Sequence, residues 1–194
     1  MFAYIEGKFV EKTPSFLILD CHGIGYNIEI SLTTYSDIKD KESGRILTHF
    51  IVREDAQILI GFSTERERTL FRHLISVSGV GANTARMMLS SASPDELSQA
   101  ISSGNVGLLQ SIKGIGAKTA QRIILEIKDK IAKDSSINTN FIQPQDNIIR
   151  AEALSALVML GFAKSQSEKV VDKIMKSMSD ISVEELIKQA LKNL

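Results

Sequence analysis

The spacing of apolar side chains changes character near residue 63 and divides the chain into segments of different secondary structure. Before that point, short runs rich in β-branched and aromatic residues are separated by polar or turn-forming stretches, which is typical of β-strands. Alternation is clearest over residues 26–30, where Tyr, Ile and Ile alternate with Asn and Glu. This pattern predicts a small five-stranded OB-type β-barrel over residues 1–63. The five runs read FAYIEGKFV, SFLILDC, GYNIEIS, RILTHFIV and AQILIGF.

From residue 64 onward, apolar residues recur every three or four positions, as they do in amphipathic helices. Thr64 and Glu67 have the spacing of a capping box that starts a helix, and Ser93 and Glu96 repeat that spacing further along. Residues 64–131 are therefore predicted to form a central all-helical domain.

The last third of the chain begins with a change in composition. Residues 132–147 are rich in Ser, Asn and Gln, contain a proline and lack periodicity, so we predict a flexible linker. Residues 148–194 follow with three helical patterns, which predict a small three-helix bundle. A core that small is marginal on its own, so we interpret the segment as a tethered interaction module, with a cap packed on the middle domain as the alternative. The predicted fold class is α+β and multidomain.

A short element occurs twice in the helical domain. Residues 74–89 and 109–124 match at an offset of 35 residues, each with Gly–apolar–Gly before a new helix. Glycine accepts positive φ and has no Cβ, so each turn can present its N–H groups to an anion beside a helix N-terminus. One copy is typical of any tight helix–helix connection. Two matched copies predict a tandem helix-hairpin-helix that holds nucleic-acid backbone without reading bases.

The candidate phosphate contacts cluster around these two turns. Lys118 and Arg122 lie four residues apart on one predicted helix face, and Lys113 precedes the second turn. The first copy offers only Arg86, so the second is predicted to make the stronger electrostatic contact. The predicted DNA-binding residues are Gly79, Val80, Gly81, Asn83 and Arg86 in the first copy, and Lys113, Gly114, Ile115, Gly116, Lys118, Thr119 and Arg122 in the second.

The distribution of charge supports this location. The 194 residues carry 23 Lys or Arg and 23 Asp or Glu, but residues 63–133 hold 10 basic and 6 acidic residues. The flanking segments are acidic, with 6 basic and 9 acidic residues over 1–62, and 7 and 8 over 134–194. The positive segment thus contains both turns, as phosphate binding requires.

The chain gives little indication of catalysis, cofactor binding or export. It has no Gly-x-x-x-x-Gly-Lys-Ser/Thr run for ATP, and its three scattered histidines are better explained by packing than by metal ligation. The single Cys21 excludes an intramolecular disulfide and indicates a reducing compartment. With no apolar run of transmembrane length and no signal-peptide pattern, a cytoplasmic location without membrane, metal or cofactor is expected.

Three other functions fit parts of the sequence. Glu54 and Asp55 could hold Mg²⁺ for strand cleavage, but adjacent residues on a turn rarely converge on one ion, and an exposed charged turn is the simpler interpretation. A helix-hairpin-helix glycosylase needs a catalytic Asp after the hairpin, and the candidate, Asp134, falls in the predicted linker. A single-strand-binding barrel is disfavoured by the acidic charge of residues 1–62 and the absence of Trp.

In the order of these parts the chain resembles the RuvA family, the Holliday-junction-binding subunits of bacterial branch-migration complexes. The resemblance covers the whole chain and rests on MFAYIEGKFVEK at the start, HFIVREDAQILIGF at residues 49–62, both hairpins and residues 152–162. It implies a four-fold tetramer that holds a four-way junction open as a near-square plane. It further implies a subunit that is not an enzyme on its own and acts in homologous recombination, DNA repair and the SOS response to DNA damage.

The resemblance implies a role for the charged turn between the last two predicted strands. Composition alone suggests only an exposed turn. Glu54 and Asp55 match the family's acidic pin, which repels phosphates at the junction centre and helps to separate crossing strands. Arg53 is expected to contact phosphate beside the pin. Asn83 and Ala117 stand where relatives often carry Lys, so we expect arm binding that is weaker or more salt-sensitive than in more basic relatives.

The resemblance also names partners. The C-terminal bundle is expected to bind RuvB, the hexameric ATPase that pumps DNA, and the RuvC resolvase is a further candidate partner. Whether one tetramer or an octamer of two binds the junction stays open, as does the orientation of the C-terminal domain. Val158, Leu160 and Phe162 are candidate ATPase contacts, with a place in the core of the bundle as the equal alternative.

Overall fold

The computed structural model describes residues 2–138, 145–178 and 181–194, and the side chains of all of these except 133–138, 145–148, 176 and 177. The chain forms two compact units, Met1–Ser136 and Ile137–Leu194.

The N-terminal part of the first unit is a closed barrel, as predicted. Its strands are β1 (Tyr4–Lys12), β2 (Phe16–Cys21), β3 (Ile24–Ile30), β4 (Ser43–Val52) and β5 (Gln57–Phe62), in the order β1-β2-β3-β5-β4. Among these five described strands, β3 and β5 are the one pair that runs in parallel. Alternate side chains point inward and are fully buried, which is why the strands show a period of two. They include Leu17, Leu19, Ile28 and Ile46.

A short helix, α1 (Leu32–Ile38), lies between β3 and β4 and was not predicted. Its seven residues are too few to reveal a helical period, and its two threonines have modest helix propensity. The Ser31 side chain caps it by accepting a hydrogen bond from the Thr34 N–H. Helix α1 therefore forms through its cap and its buried face, on which Thr34 and Ile38 lie.

Helices make up the rest of the first unit: α2 (Glu65–Ile75), α3 (Ala82–Ser91), α4 (Pro94–Ser103), α5 (Val106–Ser111) and α6 (Ala117–Asn138). Their apolar faces share one core with the barrel strand β5. Phe62 of β5 and Phe71 of α2 pack with their ring centroids 5.0 Å apart, and both are fully buried. The change from strands to helices at residue 63 is therefore not a break in packing.

The two predicted capping boxes differ in the structure. The box at residues 93–96 forms completely. At the start of α2, Thr64 accepts from the Glu67 N–H as predicted, but the Glu67 carboxylate faces α1. There it accepts hydrogen bonds from the hydroxyls of Ser31 and Thr34, the latter at 2.7 Å. Glu67 thus connects the barrel to α2 instead of completing its cap.

Helices extend into both ends of the predicted linker of residues 132–147. Helix α6 continues to Asn138, and the next helix begins at Gln145. The run from 132 to 138 contains neither Gly nor Pro, so nothing in it stops the helix. Residues 139–144 lie outside the described residues, and the flexibility of the linker stays a prediction.

In the second unit, α7 (Gln145–Met159), α8 (Lys164–Ser177) and α9 (Val183–Leu191) pack around one small core, which confirms the predicted helical bundle. The guanidinium of Arg150 on α7 holds the Asp172 carboxylate on α8 through two hydrogen bonds of 2.6 and 3.0 Å. The fully buried core residues include Ala153, Leu157, Val171 and Leu186.

Candidate nucleic-acid interface

The two predicted hairpins have the same backbone geometry. The first joins α2 to α3, and the second joins α5 to α6. In the first, the N–H of Val80 donates to the Val77 carbonyl at 3.0 Å, and in the second Ile115 donates to Ile112 at 3.1 Å. Val80 and Ile115 are each only 5% exposed. The central residue of each turn therefore anchors it in the helical core, although the sequence placed both Val80 and Ile115 among the DNA-binding residues.

Only the first glycine of each pair needs the conformational freedom of glycine. Gly79 and Gly114 have φ of 91° and 90°, in the left-handed region that other residues avoid. Gly81 has φ −84° and ψ 171°, an ordinary extended conformation. Gly116 is likewise not among the glycines with positive φ. The first glycine of each pair supplies the positive φ that the turn needs, and the second does not.

At the second glycine of each pair, the protein leaves room for a side chain. A Cβ added at Gly81 or at Gly116 would have no heavy atom within 4 Å. Gly81 is also the N-cap of α3, where Ser, Thr, Asp or Asn would stabilise the helix better. Helices α2, α4 and α9 do use Thr or Ser at this position. The absence of side chains at both positions keeps the surface open for something that approaches the backbone.

Anion-binding capacity lies at the same places. Helix α3 has no side-chain hydrogen bond at its cap, so the N–H groups of its first turn remain available beside the hairpin. Lys113 and Lys118 are exposed on either side of the second hairpin, and Asn83 is exposed beside the first. Thr119 is half-buried. The second hairpin therefore carries more positive charge than the first, as its sequence suggested.

Two arginines that the sequence assigned to DNA have partners in the protein. Arg86 donates to the Ser15 carbonyl at 3.1 Å and pairs with the Glu29 carboxylate at 3.1 Å. Its charge is thus compensated on the barrel, which favours a structural role over DNA binding. Arg122 is more exposed, at 52%, and its guanidinium donates to the Ser78 carbonyl at 3.1 Å. The Glu126 carboxylate lies farther from it, at 3.8 Å, so the charge of Arg122 is compensated less than that of Arg86.

The contact of Arg122 was not predicted and connects the two hairpins. Ser78 directly precedes Gly79, so a side chain from the helix of the second hairpin holds the turn of the first. Lys130 on the same helix, α6, lies 3.2 Å from the Ser76 hydroxyl, which is also in the approach to the first hairpin. Helix α6 therefore fixes the position of one hairpin relative to the other.

The charged turn lies at the tip of the β4–β5 hairpin. Arg53, Glu54 and Asp55 are all exposed. The Arg53 N–H closes the turn by donating to the Ala56 carbonyl at 2.8 Å. The turn therefore has a defined backbone, and both carboxylates face solvent.

In the second unit, the predicted ATPase contacts divide into two kinds. Val158 and Leu160 are 44% and 61% exposed at the end of α7, whereas Phe162 packs against the core of the bundle. Met159, which the sequence analysis did not single out, is 86% exposed between them. Val158, Met159 and Leu160 are thus three consecutive exposed apolar residues, whereas Phe162 belongs to the core of the bundle.

Other kinds of site find no support in the part of the chain that the structure describes. There, no three His, Cys, Asp or Glu side chains are grouped so that they could hold a metal ion. None of the described helices is both long and apolar enough to span a membrane.

A closed five-stranded barrel joined through one core to paired helix-hairpin-helix elements defines a multidomain protein of the tandem helix-hairpin-helix class. Models of known families match nearly the whole chain. The RuvA N terminal domain matches residues 1–61, the SAM-like helix-hairpin-helix tandem matches 71–129, and the RuvA C-terminal domain matches 149–194.

Curated relatives match from end to end. Proteins named Holliday junction branch migration complex subunit RuvA from Flavobacterium psychrophilum and Christiangramia forsetii are each 50% identical, and the match covers all of both chains. The protein of that name from Bacteroides fragilis is 46% identical over the full length of both chains. The chain belongs to the RuvA family.

Proposed function

We propose that this protein binds four-way DNA junctions, holds them open and recruits the RuvB ATPase for branch migration in recombination and repair. The observation that carries the proposal is the pair of glycines, Gly81 and Gly116. Neither the backbone conformation nor the neighbouring atoms explain their missing side chains, whereas close approach of a phosphate to the hairpin backbone does. The names of the relatives support a junction as the DNA structure that is bound.

Each hairpin would hold one backbone strand of an arm. Backbone N–H groups and the positive end of the following helix contact phosphate oxygens. Lys113 and Lys118 add charge at the second hairpin, together with the exposed part of Arg122. Because these contacts reach no base edges, binding would follow the shape of the DNA and not its sequence. We omit Arg86 from the proposed interface because Glu29 already neutralises it.

The acidic turn would act by repulsion. Glu54 and Asp55 are exposed and lie on a short hairpin, so in a four-fold assembly their charges would gather at the junction centre. Phosphates that approach this centre are repelled and pass to either side, which favours separation of the crossing strands. Arg53, next to the pin, would contact one of these phosphates.

The assembly extends beyond this chain. We propose a homotetramer on the junction, with an octamer as a second form, and a RuvB contact through the exposed apolar residues Val158, Met159 and Leu160. RuvC is a further candidate partner at the open junction. The chain would work in the cytoplasm without a cofactor and would leave ATP hydrolysis to RuvB.

A competition assay tests the proposal. Labelled four-way junction is bound at fixed salt and challenged with unlabelled junction or with linear duplex of the same sequence. Junction should displace the label at a concentration lower by orders of magnitude than duplex. Equal competition by duplex would reduce the hairpins to general backbone contacts and contradict the role at junctions.

A further inference from the structure

A groove separates the end of strand β4 from the first hairpin. It has a volume of about 370 Å³ and is open to solvent on one side. His49, Phe50 and Ile51 of β4 form one wall, and Val80–Ala82 of the hairpin form the other. None of the roles proposed above uses this space, although it shares Gly81 with the hairpin and adjoins the charged turn through Arg53.

The walls of the groove are mostly apolar, and residues of the protein core pack against them on the side away from solvent. The His49 and Ile51 side chains lie on the helix-facing side of β4, with the His49 ring 5.4 Å from that of Phe71, whereas the Phe50 side chain lies on the opposite side of the strand. Ile51 and Ile75 pack against the core that the barrel shares with the helices. The groove is wide open to solvent, so it suits a flat group laid against its largely apolar lining and not a ligand that it would enclose.

The groove is lined by two titratable side chains, His49 and Arg53, which differ in charge. Burial, together with the nearby Arg72 and Arg68, lowers the pKa of His49, so its imidazole is neutral at neutral pH. Its Nδ1 atom is buried and has no hydrogen-bond partner in the described part of the protein. Arg53, which also lines the groove, is exposed and carries a positive charge. A ligand with an uncharged aromatic part and an anionic backbone matches this arrangement.

We propose that the groove receives one unpaired nucleobase from the DNA strand that the first hairpin holds. The proposal rests on the proposed function and adds a site for a base to the contacts with phosphate. A strand that places its phosphates at Gly81 and Arg53 must cross the groove, which both residues line. Packing against the His49 ring and the apolar side chains of the groove accepts any base, so the site has no sequence preference. The gain from packing the base is offset by the cost of unpairing it, so the net effect on affinity for the junction is small.

The site would act where base pairs break. Near the crossover, each step of migration separates bases before they pair with a new strand. A base held in the groove is kept from returning to its old partner, and this lowers the free-energy cost of the open state. The acidic pin separates strands by repulsion, whereas the groove would do so by binding a base.

The test uses four-way junctions with 2-aminopurine at successive positions outward from the crossover, bound to the full-length protein. At one position, the wild type should change the fluorescence and protect the base from acrylamide quenching. Ile75→Trp, which fills the groove from the end of α2, should abolish this protection while the dissociation constant for the junction changes by less than about threefold.

A second measurement avoids dependence on the folding of a variant. 5-Iododeoxyuridine at the protected position should photocrosslink wild-type protein at His49, as mass spectrometry would identify. Three outcomes would overturn the groove proposal and leave the proposed function intact. They are tight junction binding with no protected position, protection that survives in Ile75→Trp, and crosslinks outside the groove. Failure to prefer junction over duplex in the competition assay would instead overturn both.

Discussion

Replacing Gly81 with serine separates two explanations for a glycine at the start of α3. If the glycine served the fold, the substitution would destabilise the protein. Its backbone, at φ −84° and ψ 171°, is close to that of the serine caps Ser93 (−62°, 157°) and Ser182 (−73°, 160°). A side chain at Gly81 has open space around it. The structure therefore predicts that serine fits and caps the helix.

The expected gain in stability has two parts. Serine in place of glycine at an N-cap adds a few tenths of a kcal/mol. Removing a glycine from the unfolded chain adds about 0.4–1 kcal/mol where the native conformation suits the new residue. The midpoint of thermal unfolding of Gly81→Ser should rise by a few degrees. Gly79→Ala should instead lose about 1–2 kcal/mol, because φ of 91° lies in the left-handed region.

Junction binding should change in the opposite direction. A hydrogen bond to a charged group is worth about 1.5–3 kcal/mol, so a side chain that keeps a phosphate off the hairpin should weaken binding roughly ten- to a hundredfold. Gly116→Ser should behave in the same way at the second hairpin. The control is Gly107→Ala on α5, where the added Cβ meets only Asn105 at 3.5 Å.

The assay pairs thermal unfolding with fluorescence anisotropy of a labelled junction at fixed salt. The control should gain stability and keep its affinity. If Gly81→Ser and Gly116→Ser are more stable but bind junction as tightly as wild type, the hairpin backbone does not contact phosphate. The central argument for the interface would then be refuted.

Further predictions concern charge and partners. Asn83→Lys should tighten junction binding and steepen the plot of log affinity against log salt by about 0.9; an unchanged slope would mean that no phosphate lies there. Because a chain with fewer lysines at the hairpins releases fewer counterions, it should bind junction more weakly than more basic relatives and with a smaller, not a greater, salt dependence. Neutralising Glu54 and Asp55 together as amides should leave junction binding intact or tighter and change the rate of RuvB-driven migration; lost binding would make the turn structural. Burial raises the pKa of Glu67, and this effect outweighs the hydrogen bonds from the Ser31 and Thr34 hydroxyls and from the Ser63 backbone, which lower it. Because the folded-state pKa lies above the unfolded value, this carboxyl costs stability as pH rises through 4.5, and the loss levels off once pH exceeds the folded-state pKa. Glu67→Gln should therefore remove this loss in denaturant titrations across pH, and an unchanged pH profile would contradict it. Leu160→Asp should abolish RuvB capture without lowering bundle stability, since the side chain is 61% exposed.

The hairpins could be predicted because their signal is local. Glycine pairs with one apolar residue between them specify a turn within a few positions, and the second copy excludes coincidence. The buried position of Val80 and Ile115 follows from the same short pattern. The five strands were likewise readable because alternation is a property of neighbouring residues.

The partners of charged residues could not be predicted in this way. Arg86 contacts Ser15, 71 positions away, and Arg122 contacts Ser78, 44 positions away. Thr34 meets Glu67 across 33 positions, from a helix too short to show a period. The sequence near a hairpin does not show whether an arginine there faces DNA or a carboxylate of the protein. That depends on how distant segments pack, which only the structure shows.

The core that joins β5 to the helices has a mechanical consequence. Since the acidic turn extends from β4 and β5, and both hairpins rest on the same core, the distance between turn and hairpins cannot vary without breaking that core. If the protein acts as proposed, the DNA would therefore deform during migration, because it is more flexible than the protein core. Each advance by one base pair would meet an unaltered protein surface. The protein itself would therefore add no step-dependent cost, and no ATP hydrolysis by RuvB would be needed to return it to a starting conformation.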